Sequence, residues 1–250
     1  ADLKDNWSAF MPTGLARLIA GRYRDAAHMT TFSQGHRLEA NRWFGQDKTV
    51  IYSGFHETAD PPAGDGPFRI LLTGSVYDDA CLARFISGLR AWLEGQTGPA
   101  VVFSYAGNDG ERVAALAGPL KGLCTIDLRE FMAQDELAAL QKSSSLNAYI
   151  RTPRSLFQHK VLELLAAGRP VLSFPGESDE AVGIAAKVGG CLLACETEED
   201  VARALQKTFS APPAAPNTEK INAYSWPAQA EKLAAVLERL AQDGQGGDGP

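Results

Sequence analysis

The residues best suited to chemistry lie between Asn147 and Pro175. LNAYI reads as a strand and RTPRSLF as a polar, proline-containing loop. HKVLELLAAG reads as a helix ended by Gly168, and PVLSF as the next strand. Arg151, Arg154, His159 and Lys160 lie in or beside the loop, where the first N–H groups of a helix lack partners and its dipole is positive. A cation is unfavourable at that end by itself, and its presence makes sense if an anion such as a phosphate is bound. Glu163 follows Lys160 by three residues and shares its helix face, where a carboxylate suits the hydroxyls of a sugar diol. The same two residues also fit an ordinary i, i+3 ion pair on a solvated helix, and spacing alone leaves both readings open.

Other chemistries find less support. The sequence has no G-x-G-x-x-G fingerprint, no G-x4-G-K-[ST] phosphate loop and no G-x-S-x-G nucleophile elbow. His28, His36, His56 and His159 show no metal-ligand spacing, so no metal site is expected. Cys191 and Cys195 form a C-x3-C that is wrong for a zinc ribbon and reads as two small reduced core residues. A net charge of −6 argues against non-specific nucleic-acid binding, which draws on clustered Lys and Arg. No apolar run reaches the roughly 18 residues of a membrane span, so no transmembrane segment is expected. The chain opens on Ala1 without a signal peptide and reads as processed or partial.

The elements that must position these residues alternate regularly. With 250 residues, 45% of them hydrophobic, the chain can bury a full core without disulfides. Short apolar strands are predicted at 68–74, 100–105, 122–127, 146–150, 170–174 and 189–194. Helices are predicted at 78–94, 109–118, 134–142, 156–167, 178–188 and 198–209. The first places Leu82, Phe85, Ile86, Leu89 and Leu93 on one stripe. Strands followed by helices at this spacing mean an α/β fold: a Rossmann-like, mostly parallel sheet with helices on both faces. Residues 1–59 read differently, with a helix at 14–26, a strand at 28–33, a helix capped by Ser33 and a strand at 48–53. A turn-rich linker follows at 60–67, then the regular α/β part at 68–210 and a loop with a last helix at 211–240. Ser225 is the candidate cap of that helix, and 241–250 has no apolar anchor and is expected to be disordered.

The run HKVLELLAAGRPVLSFP resembles the E-L-x-A-x-G-x-P-V signature of retaining glycosyltransferases with the GT-B architecture, of the group-1 or family-4 type. VIYSGF (50–55) resembles the strand and turn leading into their donor domain, RILLTGSVY (69–77) its first strand, and YSW (224–226) the segment before the helix that returns to the other domain. The resemblance implies that 68–210 binds the nucleotide sugar and that 1–59 is the end of an amino-terminal, acceptor-side domain, whose remainder would be supplied in cis or in trans. It implies that Glu163 binds the ribose hydroxyls, that Lys160 faces the diphosphate, and that the loop 151–158, with Arg154, Ser155 and His159 in or beside it, lies by the diphosphate and sugar. Gly74 and Ser75 would offer a tight turn and backbone amides, and the stretch 174–182 would close over the sugar, although Glu177 there equally suits a favourable charge at a helix start.

Two positions depart from the pattern. The first Glu of the E-x7-E motif is replaced by Ser155, and the basic residues after the first donor-domain strand are missing. Arg84 stands nearby, on a helix where it is expected to be solvated. The implied activity is transfer of a hexose from a nucleotide-diphosphate sugar to a glycan, lipid or small-molecule acceptor, with retention and without an obligatory metal or other cofactor. The implied setting is cytoplasmic polysaccharide biosynthesis, in solution or peripheral at the membrane. A GT-B-like sugar-nucleotide epimerase and a non-catalytic nucleotide- or partner-binding module are the alternatives, and Ser155 favours the latter.

Overall fold

The computed structural model describes residues 1–56, 66–98, 100–152, 154–211 and 215–245. In chain order the elements are β1 (Asp2–Leu3), α1 (Thr13–Arg22), β2 (Met29–Thr31), α2 (Gln34–Ala40), β3 (Lys48–Val50), β4 (Phe68–Thr73), α3 (Asp79–Glu94), β5 (Val101–Ala106), α4 (Gly110–Leu116), β6 (Thr125–Arg129), α5 (Gln134–Ser143), β7 (Leu146–Ile150), α6 (Lys160–Ala166), β8 (Val171–Phe174), α7 (Asp179–Val188), β9 (Leu192–Ala194), α8 (Glu198–Ser210), α9 (Thr218–Asn222) and α10 (Trp226–Gln245). They form two compact units, one of Ala1–Glu57, Ser155–His159 and Asn222–Pro250, the other of Thr58–Arg154 and Lys160–Ile221.

The larger unit is the expected α/β layer. Its six strands are all parallel and stand in the order β6-β5-β4-β7-β8-β9. Renumbered within the unit this is 3-2-1-4-5-6, the doubly wound order of dinucleotide-binding sheets. The α3 stripe is buried as its periodicity predicts, with Leu82, Phe85 and Leu89 fully enclosed against Ile70, Leu72 and Phe103 of the sheet. Asp78 accepts a hydrogen bond from the Cys81 N–H at 3.0 Å and so caps α3. Arg84 is exposed on α3, as expected, and pairs there with Glu198 of α8 at 2.6 Å.

The smaller unit holds a three-stranded parallel sheet, β1-β2-β3. Ser33 caps α2, as its position suggests, by accepting from the His36 N–H at 3.1 Å. Ser225 does not cap α10: its buried Oγ makes no hydrogen bond among the described residues. The first amide of that helix is already satisfied, because Trp226 N–H donates to the Phe55 carbonyl at 2.9 Å, and Pro227 has no N–H. The close approach depends on Gly54, where a Cβ would lie 2.5 Å from Trp226 N.

Two boundaries differ in a way that bears on the site and the tail. Helix α6 starts at Lys160, four residues later than the periodicity suggests. Residues 155–159 belong instead to the smaller unit, where Phe157 is buried with its ring 6.1 Å from Phe32 and 5.6 Å from Tyr52. The last helix continues through Gln245, so 241–245 are helical where disorder is expected, and 246–250 lie outside the described residues. Most of the expected linker also lies outside them.

Candidate functional site

In a doubly wound sheet the chain leaves the two central strands in opposite directions, and a crevice opens between their carboxyl ends. Here those strands are β4 and β7, which pair through Ile70–Leu146 to Leu72–Ala148. Gly74 follows β4 with φ +88°, a left-handed conformation that a side chain would strain. The turn is held from the neighbouring strand: Tyr105 Oη donates to the Gly74 carbonyl at 3.0 Å and accepts from the Asp109 N–H at 3.0 Å. Asp109 Oδ2 accepts from the Val76 N–H at 2.9 Å, and Arg112 bonds the Val76 carbonyl and Asp79. The loop after β4 is thus fixed at several backbone atoms.

Lys160 enters the crevice from the first position of α6. Its ammonium occupies the place where a Cβ on Gly74 would stand, and lies 5.9 Å from the centroid of the Tyr149 ring. Burial pushes the Lys160 pKa down, and Glu163 partly opposes this. Burial pushes the Glu163 carboxyl up, and Lys160 partly opposes that. The two sense each other's charge but do not form a contact ion pair, so the ordinary surface pair that spacing allowed is not what the fold builds. The fold thus holds a largely buried ammonium against a glycine turn at the carboxyl end of β4.

Beside the crevice lies a second ionic cluster. Tyr149 at the end of β7 donates its hydroxyl to Glu177, whose side chain is fully buried. Arg151 Nε lies 3.5 Å from Glu177 Oε1, which also accepts from the Ser178 N–H at 2.7 Å. Burial and the Glu177 charge raise the Tyr149 hydroxyl well above its ordinary value. Glu177 is therefore committed to holding the ends of β7 and β8, and is neither a free carboxylate nor a simple helix-start charge. Ser178, next to it, caps α7 by accepting from Ala181 N–H at 3.3 Å.

Of the residues singled out in the sequence, the fold brings Gly74, Lys160 and Glu163 together, with Ser75 adjoining Gly74. Arg154 is exposed. Ser155 and His159 lie in the smaller unit, where Ser155 Oγ donates to the Phe157 carbonyl at 3.0 Å and the His159 ring stands 6.5 Å from Phe32. Sequence reasoning missed Tyr149, Tyr105, Asp109 and Arg112. The signal available was period two, which puts Tyr149 on the same side of β7 as Arg151, the first residue past the end of that strand. All four cysteines are free, and burial pushes the Cys195 thiol up to about 12, far from a nucleophile's range. No group of three metal-ligating side chains occurs among the described residues.

No family model matches the sequence, and no curated protein does. Solved structures do match. Anabaena HepE, solved with UDP-glucose, superposes with a TM-score of 0.69 at 15% identity over 95% of this chain and 72% of its own. A glycosyltransferase from Rickettsia africae gives 0.69 at 13% over 92% and 68%. The lipopolysaccharide outer core galactosyltransferase WaaB gives 0.61 at 19% over 86% and 62%. At these identities the likeness is one of fold: the chain is built on the α/β architecture of the GT-B glycosyltransferases.

Proposed function

We propose that the chain is the donor-binding part of a retaining glycosyltransferase that moves a hexose from a nucleoside-diphosphate sugar to an acceptor hydroxyl, in the building of a glycan or cell-envelope polysaccharide. The observation that carries this reading is the Lys160 ammonium held against the Gly74 turn at the switch point of the sheet, with Glu163 one helical turn further on. In this reading the diphosphate lies against Lys160 and the backbone of Gly74 and Ser75, and Glu163 accepts hydrogen bonds from the ribose diol. When the bond from the anomeric carbon to the diphosphate breaks, negative charge grows on the leaving oxygen. A fixed, partly desolvated cation is most effective against charge that develops there. Lys160 supplies that charge from the chain itself, so the transfer is proposed to need no metal. The reading is supported by the fold shared with HepE, which was solved with UDP-glucose, and with the galactosyltransferase WaaB.

A thermal-shift panel of UDP, GDP, ADP and their sugar derivatives tests it. A ligand at 100 times its dissociation constant stabilises a protein by about 2.7 kcal/mol. One base should stand out, with a smaller shift in Lys160→Ala. A panel without any shift would overturn the proposal.

A further inference from the structure

The smaller unit carries a groove that the donor site does not use. It runs between α1 and the segment 42–46, encloses about 900 Å³, and is lined by Arg17, Gly21, Arg24, Arg42, Trp43 and Gly45 among others. Among the described residues no acidic side chain lines it. The stretch that builds it runs against the charge of the protein: from Thr13 to Arg42 the sequence carries five arginines (17, 22, 24, 37 and 42) against Asp25 and Glu39, a local +3 in a chain of −6, and three of the five line the groove.

The arrangement is shaped as well as charged. Arg17 and Gly21 stand one helical turn apart on α1, and Arg24 follows two residues past the end of that helix, in a turn where its N–H donates to the Gly21 carbonyl at 3.4 Å. Between the two arginines Gly21 leaves open space, since a Cβ there would meet nothing within 4 Å, and the same holds at Gly45 across the groove. Gln46 pins the far wall by donating to the Tyr23 and Arg24 carbonyls at 2.7 and 2.6 Å. Arg42 is paired with Glu39 at 3.1 Å, whereas the Arg17 and Arg24 guanidiniums have no partner among the described residues. Like charges side by side repel, and a guanidinium fork fits a phosphate through two parallel hydrogen bonds.

We infer that this groove is a second anion site, which binds a phosphate group through Arg17 and Arg24 with Arg42 at its rim. The phosphate belongs either to a soluble phosphorylated compound or to a lipid headgroup. The inference does not rest on the proposed donor site.

The test is nuclear magnetic resonance on the isotope-labelled full chain, titrated with inorganic pyrophosphate, reading the Trp43 indole and the arginine side-chain signals. These signals should shift together, and the affinity should fall with salt. Loss of charged hydrogen bonds in R17Q/R24Q should weaken binding by roughly tenfold or more. Gly21→Leu keeps every charge, improves helix propensity and puts a bulky side chain into the open space between Arg17 and Arg24, and should weaken binding to a similar degree. Lys160→Ala should leave the Trp43 shift intact, which separates this site from the donor crevice. Sedimentation with phosphatidylcholine vesicles, with and without phosphatidylglycerol, distinguishes the sources. Arginine-dependent binding to the anionic vesicles alone, with Trp43 shifting, assigns a headgroup, and a Trp43 response to pyrophosphate without vesicle binding assigns a soluble compound. Groove signals unmoved by both probes, or variants that bind as the parent does, would overturn the inference.

Discussion

The Lys160 ammonium fills the space that a side chain on Gly74 would need. Two residues 86 positions apart in the chain are thereby made to depend on each other: the glycine turn admits the cation, and the cation forbids anything larger than glycine. Gly74→Ala should accordingly displace Lys160 and strain a backbone held at φ +88°. A loss of about 1–3 kcal/mol in stability is expected, together with weaker nucleotide binding. Thermal unfolding and a UDP titration on the same variant check both.

Glu163→Ala should weaken nucleotide binding without unfolding the protein. Charged hydrogen bonds contribute about 1.5–3 kcal/mol, so the loss should be roughly ten- to a hundredfold. Because burial raises the Glu163 carboxyl, removing it should also relieve a desolvation cost in the ionised folded state. Calorimetric affinity and a melting curve report the two effects separately, and unchanged affinity in a folded variant would remove Glu163 from the site.

The depressed Lys160 pKa gives a pH signature. Its folded value lies below the ordinary 10.5, so the free ammonium deprotonates earlier on raising pH than it does in the unfolded chain. This favours the folded state above 10.5, and the advantage is lost as pH falls through the folded pKa. A bound diphosphate should pull the pKa back up. Nucleoside diphosphate binding should therefore weaken on the alkaline side, below 10.5, while nucleoside binding stays level. The difference between the two ligands should shrink with salt and in Lys160→Ala.

Glu177→Ala should be a folding defect first. It leaves Arg151 and the Tyr149 hydroxyl facing a buried space without their carboxylate, and breaking a buried ionic pair typically costs about 3–5 kcal/mol. Denaturant unfolding measures the loss, and a change below about 1 kcal/mol would contradict the clamp described here.

If Lys160 supplies the charge that offsets the leaving diphosphate, transfer measured with radiolabelled donor should be unchanged by EDTA. Strong inhibition reversed by added magnesium would show that a metal shares the work.

Much of this molecule was legible in its sequence because the informative patterns are local. Apolar runs of four to six residues alternating with helical stripes such as Leu82–Phe85–Leu89 settle a parallel α/β layer, since each strand must cross over through a helix to reach the next. The Lys160–Glu163 spacing marks a helix face by geometry alone. Where tertiary contacts outweigh local preference, the sequence was silent or misleading. The run from Leu156 through Leu165 has helical periodicity throughout, yet residues 155–159 are drawn out of the helix because Phe157 gains more by burial beside Phe32 and Tyr52. Glu177 reads as a charge at a helix start, and only the pairing of β7 with β8 brings Tyr149 and Arg151 to its carboxylate. The choice between a surface ion pair and a buried cation at Lys160 was likewise made by the fold, because what surrounds the ammonium comes from Gly74, in the turn after β4, a strand that only the sheet order places next to β7.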